Sequence, residues 1–185
     1  MIESGRLIIR PYTINDADTA FTMFNDPDVM AFMPNGCDKS VAETGSRIIK
    51  YIDQYKLHGY SKYVLIDKST NEFIGDCGIC KIENTEINEL GYRIKKSYWN
   101  KGFATEGAKS VIDYAFNILG FKEIHAIVEK ENKKSVYILE NKLGFKYVGQ
   151  IFCYETDFDL YRLENLPNQG LLKGTLIHKN ITKIQ

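Results

Sequence analysis

The hydrophobic period of this chain switches repeatedly between two and 3.6 residues, and that succession restricts its possible folds more than any single motif does. Glu89-Leu90-Gly91-Tyr92-Arg93-Ile94 alternates, with Leu90, Tyr92 and Ile94 on one face. Further on, Ala108, Val111, Ile112, Ala115 and Leu119 recur at helical spacing until Gly120. Alternation returns over 123–129, with Ile124, Ala126 and Val128 on one side. The same reading predicts a strand over 6–10, closed by Pro11, and a helix over 13–25 carrying Ala17, Ala20, Phe21 and Phe24 on one stripe. A capping box in Ser40-Val41-Ala42-Glu43 opens a second helix that stops near Gly59. Between these helices, 26–38 carries two prolines and a glycine and reads as an irregular loop. A hairpin follows, with strands over 63–67 and 72–82 around Lys68-Ser69-Thr70-Asn71. The chain then adds a helix near 134–143, with Gly144 just past its end, and strands near 145–153 and 157–163.

The order βααβββαβαββ describes an α+β domain, a mixed sheet with helices on its faces. With 185 residues there is material for a single sizeable core. We expect one domain over 1–165 and a polar tail over 166–185, which lacks a clear period. The formal net charge is zero, so no global field favours nucleic acid or an acidic membrane. The first residues form no signal peptide, and no apolar run reaches the roughly 18 residues of a membrane span. These features point to a cytoplasmic protein with neither nucleic acid nor membrane as partner.

Cys77 and Cys80 form a C-x-x-C pair, but they fall in a strand, where residues three apart point to opposite faces. Cys37 and Cys153 supply no second pair to complete a metal site, so all four read as reduced thiols and no metal is expected. His58, His125 and His178 have no mutual spacing that suggests a metal or a triad.

The stretch Trp99-Asn100-Lys101-Gly102-Phe103-Ala104 stands between a strand that ends at Ile94 and a helix expected to begin near Thr105. The first amides of a helix have no internal partners and carry partial positive charge, so they suit a phosphate. Gly102 lets a backbone and an oxyanion approach closely, and Ala104 keeps the next turn narrow. Taken alone, Gly102 could equally serve only a tight turn. The spacing matches neither G-x-x-x-x-G-K-[ST] nor G-x-G-x-x-G, which disfavours a Walker loop and dinucleotide binding.

Glu89 to Ile94 followed by this glycine stretch resembles the GNAT superfamily of acyl-CoA-dependent N-acetyltransferases, whose pyrophosphate loop reads Q/R-x-x-G-x-G/A after a splayed central strand. Gly102 and Ala104 occupy the small-residue positions, while Trp99 replaces the usual Gln or Arg. Trp99 is similar to the branch of ribosomal-protein alanine acetyltransferases, RimJ and RimL. Arg6-Leu7-Ile8-Ile9-Arg10-Pro11, Asp67 to Gly75, and Asn132-Lys133-Lys134-Ser135 with Lys142-Leu143-Gly144-Phe145 resemble the same branch. The likeness covers about 5–164.

The resemblance implies a mixed, mostly antiparallel sheet with a splayed parallel pair, and acetyl-CoA as cosubstrate. It further implies that backbone atoms near Ile94 hold the pantetheine arm. The amides of Asn100, Lys101, Gly102, Phe103, Ala104 and Thr105 would hold the pyrophosphate, and Asn132 would hydrogen-bond the pantetheine. Lys101 reads equally as a phosphate partner or a solvated loop lysine, and Asn132 also as a helix cap. The acceptor would be a primary amine, on a protein N-terminus or a small molecule; the resemblance leaves room for a homodimer.

Acetyl transfer needs a neutral amine, although a lysine-type ammonium has a pKa of about 10.4 and an α-amine about 7.7–8.0. The enzyme must therefore accept a proton and stabilise an oxyanion, for which a strand amide at the splay is suited. Glu89 is the first candidate base, and the resemblance implies that Ser135 is the hydroxyl near the departing sulfur; each could instead be an ordinary strand or helix residue. Glu155 is a weaker acceptor-side candidate. Many relatives carry a tyrosine seven residues after the motif Asn, where this chain has Leu139. Tyr137 lies about 200° away around the helix and does not replace it. The rival reading is a module that binds acyl-CoA without turnover.

Overall fold

The computed structural model describes residues 2–82 and 85–166. The strands are β1 (Ile2–Glu3), β2 (Leu7–Pro11), β3 (Lys62–Asp67), β4 (Phe73–Lys81), β5 (Asn88–Ile94), β6 (Glu123–Val128), β7 (Lys146–Cys153) and β8 (Thr156–Glu164). The helices are α1 (Ala17–Phe24), α2 (Pro27–Met30), α3 (Val41–His58), α4 (Phe103–Asn117) and α5 (Lys133–Tyr137), and α5 continues as a π turn over Ile138–Leu143. The strands form one sheet in the order β1-β2-β3-β4-β5-β6-β8-β7. All neighbours are antiparallel except β5 and β6, which run parallel. This is the expected α+β architecture, with a two-residue β1 added at one edge. The polar tail, apart from Leu166, and the histidine at 178 lie outside the described residues.

Each face of the sheet carries its own core. On one face α4 lays Ala108, Val111, Ile112, Ala115 and Phe116 against Leu65, Ile79, Leu90 and Ala126. On the other, α1 and α3 contribute Ala20, Met23, Phe24 and Ile48 against Val64 and Phe73. Each fully buried large apolar side chain contributes about 1.5–3 kcal/mol, so these two stripes account for the helices' attachment. Beneath α1 and α3 the wholly buried Asp76 accepts from Arg93 Nε (2.9 Å) and Nη2 (2.6 Å), and from the Tyr12 hydroxyl (3.1 Å). The Arg93 guanidinium also lies 4.6 Å over the Phe24 ring, which fixes it between sheet and helix.

Two local readings need correction. The segment 26–38 contains α2: Asp26 Oδ1 caps it by accepting from the Asp28 amide (2.9 Å), and Pro27 stands at its first position. The helix expected from Thr105 begins at Phe103, because Gly102 adopts φ +81° and caps it directly. At the start of α3 Ser40 Oγ accepts from the Glu43 amide (3.2 Å) as expected, but Glu43 accepts from the Lys39 amide outside the box.

Candidate active site

The site begins where the sheet comes apart. Among the described residues β5 and β6 share a single bridge, Glu89 opposite His125. Beyond it the strands diverge around a cavity of about 220 Å³. The Lys95 amide donates to Ile74 O on the β4 side (2.8 Å). Consecutive residues turn their peptide groups to alternate edges, so those of Tyr92 and Ile94 face the gap.

Side chains of β5 alternate as the sequence predicts, and the cavity therefore has two halves. Glu89, Gly91 and Arg93 face α3, whereas Leu90 and Tyr92 face α4 and α5; all five line the space. On the first side the Lys62 ammonium donates to Gly78 O (3.2 Å) and reaches over β5. A Cβ on Gly91 would stand 2.4 Å from Lys62 Nζ and 3.7 Å from Glu89 Oε1, so glycine leaves room for the lysine beside the carboxylate. Burial pushes the Glu89 carboxyl above its ordinary value, and Lys62 and Arg93 oppose that only in part. Burial opposes the charge on Lys62, but its electrostatic coupling to the neighbouring Cys80 and Glu89 groups more than offsets that, and its pKa is raised. Cys80 lines the same half, yet burial raises its thiol, which argues against a thiolate nucleophile. Cys77 is on the opposite face of β4, buried in the core, and all four cysteines are unpaired.

On the second side Asn132 caps α5, its Oδ1 accepting from the Ser135 amide (3.2 Å), and both residues line the cavity with Leu139. Capping leaves the Asn132 side-chain NH₂ available, so the cap and a ligand contact are compatible. Tyr137 is exposed and carries Lys142 over its ring, away from the cavity, as its angular position required.

The glycine loop stands outside the cavity's lining, at the start of α4. Asn100 (φ +60°) and Gly102 (φ +81°) both take left-handed backbone, and Gly102 O accepts the first helical bond, from Glu106 N (3.0 Å). Phe103 is buried against Tyr98 and under Arg6, leaving only its amide for a ligand. Arg6 Nη1 donates to Lys101 O (2.9 Å) and Nε pairs with Glu106 (2.7 Å), so a cation is held beside this helix start. Lys101 lies over the Tyr98 ring (4.9 Å). Trp99 donates its indole N–H to Ile94 O (2.7 Å), which occupies that carbonyl and leaves the Ile94 amide on the gap edge. Lys134 of α5 covers the same indole at 4.8 Å, joining the loop to the Asn132–Ser135 turn.

The structure thus brings Glu89, Asn132 and Ser135 to one cavity, and leaves Ile94, the loop 100–105 and Glu155, exposed in the β7–β8 turn, outside its lining. Lys62 and Tyr92 were missed as site residues. A lysine opening an otherwise apolar strand was a signal for the first; Tyr92 was read only as part of one face of its strand. Among the described residues no group of three metal-ligating side chains is found, and no helix is long and apolar enough to cross a membrane.

An acetyltransferase (GNAT) domain family matches residues 6–146. The chain is 35% identical over 161 residues to the uncharacterized protein YkkB of Bacillus subtilis, covering 85% of this chain and 92% of that one. It is 34% identical over 152 residues to the uncharacterized N-acetyltransferase p20 of Bacillus licheniformis, covering 81% and 84%. The crystal structure of ribosomal-protein-S5-alanine acetyltransferase from Vibrio fischeri matches with a TM-score of 0.72 at 21% identity, over 92% of this chain and 97% of that one.

Proposed function

Because this chain belongs to the GNAT acetyltransferase family and is an acetyl-CoA-dependent enzyme, we propose that it acetylates a primary amine by direct attack, with Glu89 receiving the amine's proton. The observation that carries this reading is the cavity through the sheet, with a proton acceptor on one side and the Asn132–Ser135 turn on the other. The residues fit the cosubstrate. Exposed first-turn amides of α4 beside Arg6 suit the pyrophosphate, and gap-facing peptides of β5 with Asn132 suit the pantetheine arm. Bound there, acetyl-CoA supplies the activated acyl group.

Glu89 takes the proton directly or through water. Its raised pKa brings it nearer to the amine's own, which favours transfer near neutral pH. The Tyr92 peptide N–H, on the gap edge, stabilises charge gathering on the carbonyl oxygen. Burial keeps the Cys80 thiol protonated, consistent with transfer that uses no cysteine intermediate. The Trp99 loop and the Asn132–Ser135 turn favour the RimJ/RimL-like branch and hence an α-amine acceptor, with small-molecule amines the other class. Four unpaired thiols are consistent with the cytoplasm.

Release of free thiol from acetyl-CoA, measured across peptide N-termini and small amines, tests the reading. Amine-dependent release is expected. Tight CoA binding with no release from any amine would instead make the protein an acyl-CoA sensor.

A further inference from the structure

Leu139 removes the hydroxyl that many relatives place beside the departing sulfur, and on the side of the cavity where Leu139 stands Ser135 and Tyr92 carry two others. The Tyr92 hydroxyl is fully buried and has no partner at hydrogen-bonding geometry among the described residues. It stands on the α4–α5 side of β5, in the half of the cavity that Asn132, Ser135 and Leu139 line. Its polar neighbours there are the Ser135 side chain and the Cys77 thiol, and burial raises the latter to about 12, so that it stays neutral. Buried hydroxyls are nearly always hydrogen-bonded, and one without a partner on a residue that lines a cavity calls for a ligand atom.

We propose that the Tyr92 hydroxyl donates a hydrogen bond to the leaving sulfur of CoA and keeps its own proton. This rests on the reading that the thioester occupies the α4–α5 half of the cavity. In the step, the amine nitrogen–carbon bond forms and the carbon–sulfur bond breaks. Sulfur takes the electron pair and leaves as a thiolate, and the amine's proton goes to Glu89 or its water. Full transfer from Tyr92 is ruled against by ordinary acidities: a phenol, at about 10, is a weaker acid than a thiol, at about 8.5. Burial weakens Tyr92 further, against a smaller opposing pull from Ser135. A retained proton still stabilises the thiolate, because hydrogen bonds to charged groups are the strong ones.

The test titrates the thiol of bound CoA by the ultraviolet absorbance of its thiolate, in the parent protein and in Tyr92→Phe. In the parent, the bound thiol should ionise about tenfold or more favourably than free CoA, and Tyr92→Phe should lose that advantage. Desulfo-CoA, which has no sulfur to contact, should bind both proteins equally. In steady state kcat should fall about 10–100-fold with KM for acetyl-CoA unchanged. The melting temperature should hold or rise, because the variant loses an unpaired buried hydroxyl. Identical thiol titrations in two proteins that bind CoA would remove Tyr92 from the sulfur while leaving the acetyltransferase reading intact. A parent whose bound thiol ionises like free CoA overturns the proposal without reference to the variant. Failure of both CoA and desulfo-CoA to bind the parent overturns the acetyltransferase reading itself.

Discussion

Two glycines with nearly the same backbone separate a turn requirement from a ligand requirement. Gly102 (φ +81°, ψ 3°) precedes α4 and Gly59 (φ +78°, ψ 1°) ends α3. Alanine in left-handed backbone costs about 1–2 kcal/mol at either position. At this chain length each kcal/mol lowers Tm by about 2–4 °C, so both variants should melt about 2–8 °C below the parent. Neither adds a clash: a Cβ on Gly59 meets nothing within 4 Å, and one on Gly102 meets only Arg6 Nη2, at an ordinary 3.5 Å. CoA binding should set them apart. Loss of one amide–phosphate hydrogen bond is worth about 1.5–3 kcal/mol, so Gly102→Ala should weaken CoA about 10–100-fold and Gly59→Ala not at all. Calorimetric titration of each variant with CoA makes the comparison. Equal CoA affinity in the two variants would show that Gly102 serves the turn alone and would withdraw the pyrophosphate assignment.

Glu89→Gln should lower turnover by about 10²–10⁴-fold at neutral pH with acetyl-CoA affinity unchanged, and the loss should shrink as pH rises and the amine arrives deprotonated; pH–rate profiles of both proteins check this. Because burial raises the Glu89 pKa, folding resists its ionisation and the carboxylate costs stability once pH exceeds the unfolded-state value. The same substitution should therefore melt no lower than the parent at neutral pH, measured by thermal unfolding. Asp76→Ala strands the buried Arg93 guanidinium without its counter-ion and should cost about 3–5 kcal/mol in a denaturant titration.

The elements that the sequence shows best are those whose period is long and whose caps are explicit. The helix α3 carries both signals, with Ser40 at its start and Gly59 at its end, and it ends where predicted. The short α2 has too few residues to establish a period, although Asp26-Pro27 was a legible start signal. The first turn of α4 was placed late because the left-handed Gly102 lets the helix start immediately, at Phe103. Of the residues that line the cavity, Glu89, Asn132 and Ser135 were singled out from local motifs. Tyr92 and Lys62 depend on tertiary arrangement instead. Alternation assigns Tyr92 a face but cannot show that β5 and β6 part beside it, placing the residue in a cavity wall. Lys62 enters the site only because β3 and β4 pair in the register that carries its ammonium over Gly91.

The parting of β5 and β6 has a kinetic consequence. On the proposed reading, donor and acceptor approach through opposite faces of one sheet and meet at a perforation in it. Neither then blocks the other's way in or out, so a ternary complex can assemble from either side and shed its two products independently. The walls also come from separate stretches of chain: on the proposed reading the segment 32–35, Tyr51 of α3 and Lys62 of β3 line the acceptor side, whereas Asn132, Ser135 and Leu139 line the donor side. Substitutions around Met33, Tyr51 and Lys62 can therefore retune which amines are taken while the grip on the common donor stays as it is.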